Sequence, residues 1–229
     1  MEFIMKKLAI LSLFLMTVLA SAQTTITKNL GDFSIVKVYN GIDLKLVKSD
    51  VSKIVVTGEK TDKVKIKLDG TTLKILLRFP ETTADGKVKA TLYYNKTLSI
   101  IDANEGATIT GKDIKQQKIE IRAQEGAFIN LVVNVKHLNV KSSSGAVIRL
   151  SGATKNQNVN ADLGGMYHGY KLLVEEMTTV KAGSGSKVEV QSGETLDAKV
   201  SFGGSIFYKG KPEVFRDKKV IGGVIEHRS

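Results

Sequence analysis

The chain has 229 residues, with 34 Lys and Arg against 23 Asp and Glu, and a formal net charge of +11. Hydrophobic residues make up 42% and charged residues 25%, a mixture typical of a chain that folds around a core. Cysteine is absent, which excludes a disulfide scaffold, thiolate zinc sites and cysteine nucleophiles. The 21 glycines accompany only 2 prolines, which favours tight turns placed regularly between strands over collagen-like or proline-rich sequence.

Residues 1–22 predict a secretory signal peptide. Lys6 and Lys7 precede an apolar run of 13 residues from Leu8 to Ala20, and Ala20-Ser21-Ala22 forms a small-x-small cleavage motif. A membrane anchor is the alternative, but the run is shorter than the ~20 residues that a spanning helix needs. We therefore predict an exported protein that is periplasmic, outer-surface-associated or secreted. Its mature part has no further segment of membrane-spanning length.

A corner motif recurs seven times in the C-terminal two thirds of the chain. Each copy contains two or three small or polar residues, a glycine, a small residue, one variable position and an apolar residue. The corner glycines are 18 to 21 residues apart: Gly106, Gly126, Gly145, Gly164, Gly185, Gly203 and Gly222. The segments between them alternate apolar and polar residues, as in Ile119-Glu-Ile121-Arg-Ala123, and this period of two is that of a β-strand. The repeat predicts an all-β fold, a parallel β-helix (β-solenoid) with about 19 residues per coil.

Equivalent residues of successive coils stack at about 4.8 Å in such a fold, so the repeat also predicts which side chains face inward. The first inward ladder is Ile101, Ile121, Val140, Val159, Val180 and Ala198. The second is Ala103, Ala123, Ser142, Ala161, Ala182 and Val200. The third is Ile109, Ile129, Ile148, Tyr167, Val188, Ile206 and Ile225. Because Leu163 and Phe202 replace the polar residue before the corner glycine, we expect the later corners to tilt.

The segment 24–98 also alternates, but its turns are less regularly spaced. It is either a set of wider coils of the same helix or an antiparallel cap, and Asp69-Gly70 between two alternating runs fits a hairpin. No linker divides the mature chain. We predict a single domain over 23–229, with N-terminal coils or a cap over 24–98 and regular coils over 99–229.

The entry to the repeats carries a family resemblance. The segment Phe33-Ser-Ile-Val-Lys-Val-Tyr-Asn-Gly41-Ile42-Asp43-Leu-Lys-Leu, followed by glycine-alanine corners, resembles the head GIN domain family of auto-transporter adhesins from Bacteroidetes-type bacteria. The resemblance covers residues 33 to 225 and implies a right-handed β-helix in a secreted or surface-associated protein. It supplies no catalytic residues.

An outward ladder lies between the first two inward ladders: Asp102, Arg122, Lys141, Asn160, Lys181 and Lys199. Like charges about 5 Å apart are unfavourable unless they are hydrated or matched by an anion. We therefore take Arg122, Lys141, Lys181 and Lys199 as candidate contacts for an anionic polysaccharide or another envelope or cell-surface component. The alternative is an ordinary solubilising face, balanced by Glu120 and Asp197. Nucleic acid is not an expected partner, because export separates the chain from it.

Catalytic, cofactor and metal residues are not predicted. His137, His168 and His227 lack metal-ligand spacing, and the glycine pairs lack the Gly-Lys-Ser/Thr of a phosphate loop. Glu105 and Glu125 stack on adjacent corners, either as a carboxylate pair or as a solvated pair. The late aromatic residues fit either a sugar-stacking patch or a plug for the C-terminal coils, and they are Tyr167, Tyr170, Phe202, Phe207, Tyr208 and Phe215.

Three functions remain open on these grounds. The first is a non-enzymatic adhesion or polymer-binding module that uses a repetitive face. The second is a carbohydrate-active β-helix enzyme, a lyase or hydrolase, which would need carboxylates that converge in a groove. The third is a structural envelope scaffold that polymerises through its coil ends. The sequence does not predict an oligomeric state.

Overall fold

The computed structural model describes residues 24–229, and the predicted signal peptide lies outside them. The described chain is built of β-strands, with a short 3-10 helix at Thr61–Lys63. Seven strands form its N-terminal third: β1 (Thr25–Asn29), β2 (Ile35–Val38), β3 (Asp43–Lys48), β4 (Lys53–Gly58), β5 (Val64–Asp69), β6 (Thr72–Leu77) and β7 (Val88–Tyr94).

Ten more strands form the regular coils. They are β8 (Ile100–Ala103), β9 (Thr108–Ala123), β10 (Phe128–Ser142), β11 (Val147–Ala161), β12 (Met166–Ala182), β13 (Lys187–Gln191), β14 (Thr195–Ser201), β15 (Ser205–Lys209), β16 (Val214–Val220) and β17 (Val224–His227). Strands β9 to β12 are long because each runs from one corner to the next. The pairing of β9 with β10 slips midway, between Leu131 and Val133, and that of β11 with β12 slips twice, whereas β10 and β11 pair in one register along their whole length.

The coils stack in parallel on both sides of the corner. Before the corner, the order is β6, β2, β8, the second halves of β9 to β12, β14 and β16. After the corner, it is β7, β3, the first halves of β9 to β12, β13, β15 and β17. These pairings confirm the predicted β-solenoid and its period of about 19 residues.

The N-terminal third combines both of the predicted alternatives. β2–β3 and β6–β7 are coils whose strands pair in parallel, whereas β1, β4 and β5 pair antiparallel, and β5 and β6 form the expected hairpin around Asp69-Gly70. The coil β2–β3 lies between β6–β7 and β8–β9, so the chain forms its second coil before its first. This reversal explains why the spacing in 24–98 does not follow the period.

The three predicted inward ladders are confirmed. Their members pair in register and are at most 2% exposed, except for Ile225 at the C-terminal end, which is partly buried. Tyr167 is the aromatic member of an otherwise aliphatic ladder. Its hydroxyl donates to Gln157 Oε1 at 3.2 Å, and Gln157 Nε2 donates to Thr178 Oγ1 at 3.0 Å. Full burial raises the pKa of Tyr167 far above its usual value, so the hydroxyl stays protonated and donates.

Each corner is a two-residue turn with both central residues in the left-handed region. In one corner Glu125 has φ 56° and Gly126 has φ 70°, and Ala127 N donates to Gln124 O at 3.2 Å, as in a type I′ turn. Gly126 N donates to Ser144 O in the next coil at 3.1 Å, so the corners are also hydrogen-bonded to one another.

The expected tilt of the later corners is wrong. Leu163 has φ 48° and Gly164 has φ 72°, which match the values of the earlier corners. The hydrogen bonds between corners impose this geometry whatever residue precedes the glycine.

In the glycine pairs Gly164-Gly165 and Gly203-Gly204, the second glycine is required because it lies against the backbone of the neighbouring coil. A Cβ added at Gly165 would lie 2.3 Å from Ser142 O, and one at Gly204 would lie 2.5 Å from Ala182 O. Here the second glycine passes directly against the backbone of the preceding coil, and any side chain would force the two coils apart.

Alanine substitutions separate the two roles of glycine. We expect Gly165→Ala to lower the free energy of unfolding by about 3 kcal/mol, because the new methyl group overlaps backbone atoms. In Gly126→Ala the new methyl group lies in open space, and the cost comes only from holding alanine in the left-handed conformation. We therefore expect this variant to lose about 1 kcal/mol of the free energy of unfolding. Urea denaturation measures both, and equal losses would contradict this distinction.

Candidate functional site

The predicted outward ladder forms a continuous column and is longer than the sequence suggested. Its members occupy the same outward position in successive coils and pair in register. We call it the outer column, and from the N-terminal end it contains Lys74, Lys37, Asp102, Arg122, Lys141, Asn160, Lys181, Lys199 and Lys218. Seven of the nine side chains are cationic, so stacking brings like charges together along one face.

The N-terminal half of the outer column is neutralised by carboxylates. Lys37 Nζ lies 3.1 Å from Asp102 Oδ2, and Asp102 is only 5% exposed. Arg122 Nε and Lys141 Nζ each lie 2.8 Å from Glu120 Oε1. The hydrogen bond from Arg122, aided by the one from Lys141, overcomes partial burial and lowers the pKa of Glu120 to about 2. For Arg122 and Lys141 the contacts therefore match the solubilising-face alternative.

The C-terminal half of the outer column has no such compensation. Lys181, Lys199 and Lys218 are exposed, and none of them forms an ion pair or a side-chain hydrogen bond within residues 24–229. We call these three residues the lysine triad. Asp197, which we expected to balance this face, also forms no ion pair in the described part of the chain. The triad is therefore a run of three uncompensated cations on adjacent strands.

A shallow depression of about 250 Å³ lies beside the triad. Lys181 and Lys199 line it together with Asn160, Ser184 and Phe202. Phe202 is 60% exposed and does not plug the coils, contrary to one of the two expectations for the aromatic residues. Among the other late aromatics Tyr167 is buried, while Tyr208 stacks on Phe215 with ring centroids 5.3 Å apart.

A second groove, of about 550 Å³, lies on the other side of the corner. Arg149, His168 and Glu189 follow one another across β11, β12 and β13 and line this groove. His168 Nδ1 lies 2.7 Å from Glu189 Oε2, and Lys187 Nζ lies 2.7 Å from Glu189 Oε1. Partial burial raises the pKa of Glu189, but the hydrogen bonds from Lys187 and His168 outweigh it, and the pKa is lowered.

This groove does not form the pair of carboxylates that a glycoside hydrolase uses. Its lining contains one carboxylate, that of Glu189, which is held in the ionised form by cationic neighbours. Glu105 and Glu125 are exposed at the corners, and Glu105 Oε2 accepts a hydrogen bond from Asn40 Nδ2 at 2.6 Å.

Metal-binding clusters and membrane-spanning helices are both absent from the part of the chain that the structure describes. Within 24–229, no three His, Cys, Asp or Glu side chains gather into a group that could hold a metal ion. In that same range, none of the helical segments has the length and hydrophobicity to cross a membrane.

Three members of the outer column, Lys218, Lys37 and Lys74, were missed in the sequence, for two different reasons. Lys218 lies 19 residues after Lys199, so extending the repeat by one coil would have found it. Lys37 and Lys74 could not be placed by counting, because the coil of Lys37 is inserted between strands that are distant in sequence. Arg149, His168 and Glu189 are spaced by 19 and 21 residues, so the repeat could also have predicted that they lie side by side.

Glu120 should contribute to stability in a pH-dependent way. Its pKa is lowered in the folded state, so its contribution is present above about pH 4.5 and is lost as the pH falls towards 2. We expect Glu120→Gln to lower the free energy of unfolding at pH 7 by about 1–2 kcal/mol, a value reduced for partial solvent screening. The difference from the wild type should shrink below about 0.5 kcal/mol near pH 2.5. Urea denaturation across pH measures this.

Glu59→Gln is the matched control. Glu59 Oε2 lies 2.9 Å from Lys87 Nζ, but the Glu59 side chain is 74% exposed, so we expect a change below about 0.5 kcal/mol. If Glu120→Gln behaved like this control, the two contacts of Glu120 would not stabilise the outer column.

Solved structures share this fold. A "putative adhesin" from Bacteroides fragilis is 16% identical and superimposes with a TM-score of 0.80, covering 91% of this chain and 98% of that chain. A "putative adhesin" from Parabacteroides merdae is 21% identical, with a TM-score of 0.64 and coverage of 92% and 98%. A "putative lipid binding protein" from Parabacteroides distasonis is 16% identical, with a TM-score of 0.67 and coverage of 92% and 98%. At these identities the likeness concerns the fold.

The family is established by the sequence match. No functionally curated protein shows significant similarity to the chain. A model of the family described as "Putative auto-transporter adhesin, head GIN domain" matches residues 32–212, which is most of the 229 residues. The chain therefore belongs to the head GIN domain family.

Proposed function

We propose that this protein is a non-enzymatic, exported envelope or surface module that binds anionic polymers through the lysine triad. The observation that carries the proposal is the contrast within the outer column. Arg122 and Lys141 have a carboxylate partner in Glu120, whereas Lys181 and Lys199 have none among the described residues. A ligand that supplies anionic groups at a regular spacing would take the place of the missing carboxylates.

The geometry favours a polymer over a small molecule. The triad lies on three adjacent strands, about 4.8 Å apart, on an outward face beside a shallow depression. Small-molecule sites bury most of their ligand in a concave pocket, which this depression is too open and too small to do. A repeated, flat row of cations instead matches a chain with repeated anionic groups.

Location and relatives are consistent with this function. The signal-peptide pattern of residues 1–22 predicts export, which would place the triad among envelope or surface polymers. The adhesin names of the family and of the structural relatives describe those proteins, and they agree with a surface role here. The groove at Glu189 supplies a single carboxylate and so gives no support to the carbohydrate-active alternative.

Charge reversal tests the proposal. We expect the triple variant Lys181→Glu, Lys199→Glu, Lys218→Glu to bind immobilised dextran sulfate at least about 100-fold more weakly than the wild type, since each lysine near an anionic surface contributes about 1 kcal/mol. The affinity of the wild type should fall as salt rises, because the contacts are exposed. Surface plasmon resonance at several salt concentrations measures both effects.

A matched control separates the triad from net charge. Lys45, Lys112 and Lys115 are exposed lysines without ion pairs within the described residues, and they lie away from the outer column. Reversing these three gives the same change in net charge and should weaken binding by less than about threefold. If both triple variants lost affinity equally, binding would depend on overall charge and the triad would not be the site.

A further inference from the structure

The corners of the C-terminal coils carry large apolar side chains in exposed positions. Leu163, Phe202 and Ile221 are 61%, 60% and 71% exposed. Each is the residue before a corner glycine and lies in the left-handed region, with φ of 48°, 48° and 52°. We call these three residues, with Ser184 between the first two, the corner ridge.

Stability of the fold does not explain these side chains. A left-handed conformation is unfavourable for bulky residues and most of all for the β-branched Ile221, whereas Asn and Asp adopt it more readily. Corners nearer the N-terminus follow that preference, with Asn40 and Asp85 at the same conformation. Because the apolar side chains are strained locally and also exposed, we look for a role outside the folded chain.

The corner ridge borders the lysine triad. Lys199 and Lys218 lie three residues before Phe202 and Ile221, whereas Lys181 lies three residues before Ser184. Leu163 follows Asn160 of the outer column at the same spacing, and Phe202 lines the same depression as Lys181 and Lys199. Consecutive corners are hydrogen-bonded, with Gly164 N donating to Ser184 O at 3.0 Å and Gly185 N donating to Phe202 O at 3.2 Å. At about 4.8 Å per coil, the ridge extends for about 14 Å beside the triad.

The acidic groups near this surface are few and partly engaged. Asp162 lines the depression, but its Oδ1 accepts a hydrogen bond from Leu163 N at 2.9 Å. Asp197 lies on β14 two residues before Lys199, on the same face, and forms no ion pair among the described residues. Asp217 on β16 is in register with Ala198 of the first inward ladder, so it does not share the outward face of Lys218. The three lysines therefore lie near one unpaired carboxylate and one engaged carboxylate, beside the corner ridge.

We propose that the corner ridge and the lysine triad together dock this protein on an anionic lipid surface. The triad would contact the headgroups, and Leu163, Phe202 and Ile221 would enter the boundary between headgroups and acyl chains. This combination of cations with adjacent exposed apolar side chains is typical of proteins that lie on membranes. A soluble polyanion has no acyl region to receive Leu163 and Ile221. The inference rests on the proposed function, since it assigns the class of surface that the same triad binds.

An asparagine variant removes two apolar side chains of the ridge while keeping the fold. Asn accepts the left-handed conformation, so the double variant Leu163→Asn, Ile221→Asn, which leaves the lining of the depression intact, should have a Tm equal to or above that of the wild type. We expect it to bind vesicles of phosphatidylglycerol and phosphatidylcholine at least about tenfold more weakly than the wild type in a sedimentation assay. Its binding to dextran sulfate should stay within about twofold of the wild type, because the lysines are intact.

A fluorescent reporter tests insertion directly. The chain contains no tryptophan, so Phe202→Trp introduces a single probe into the ridge. Its emission should shift to the blue and be quenched by brominated lipids on anionic vesicles, and it should show no blue shift with dextran sulfate, which has no apolar region. Leu173 is 64% exposed on another part of β12, and Leu173→Trp should show neither effect.

The outcomes separate this inference from the proposed function. If the asparagine variant bound vesicles as tightly as the wild type, or if it also lost dextran sulfate binding, the lipid assignment would be overturned. A wild type that binds dextran sulfate but not vesicles would overturn the inference and leave the proposed function standing. A wild type that binds neither would overturn both. Val51→Asn with Leu173→Asn, which removes equally exposed apolar groups elsewhere, should leave vesicle binding unchanged.

Discussion

Parallel, in-register stacking of coils is the constraint on which the other features depend. Each side chain has its equivalents about 4.8 Å away in the neighbouring coils, so every position belongs to a ladder. A slip of one residue would turn each inward side chain outward, and the corner bonds such as that from Gly126 N to Ser144 O oppose it. The same bonds impose a left-handed conformation on the residue before each glycine, whatever its side chain.

Stacking has opposite consequences inside and outside the solenoid. Inside, like side chains packed on one another form a continuous core from Phe33 to Ile206. Outside, stacked like charges repel one another, and carboxylates offset this repulsion in only one half of the outer column. The N-terminal half contains Asp102 and has Glu120 beside it, whereas the C-terminal half has three lysines that no carboxylate contacts among the described residues. The exposed apolar corner residues occur in that same half. The C-terminal coils therefore carry both lysines without carboxylate partners and exposed apolar side chains.

The period and the inward ladders were predictable because they depend on local alternation and on glycine spacing. The type I′ geometry was not predicted, since the sequence signal for it, Asn or Asp before Gly, is present at Asn40 and Asp85 but replaced at Leu163 and Phe202. The order of the N-terminal coils was inaccessible because strand pairing between β2, β6 and β8 leaves no trace in residue spacing. At the candidate site, the ladder of cations followed from the repeat. Glu120 and Asp197 were both expected to balance this face. That Glu120 contacts Arg122 and Lys141, while Asp197 forms no ion pair among the described residues, depends on side-chain reach, which spacing alone does not give.

The central claim is that an anionic ligand occupies the uncompensated half of the outer column. The most direct measurement is the footprint of a defined sulfated oligosaccharide on the backbone amides, recorded by NMR chemical-shift changes at low salt. The account predicts that the shifts concentrate on the amides around Lys181, Lys199 and Lys218 and disappear as salt rises. Shifts spread evenly over the lysines, or centred on the groove at Arg149 and Glu189, would contradict it.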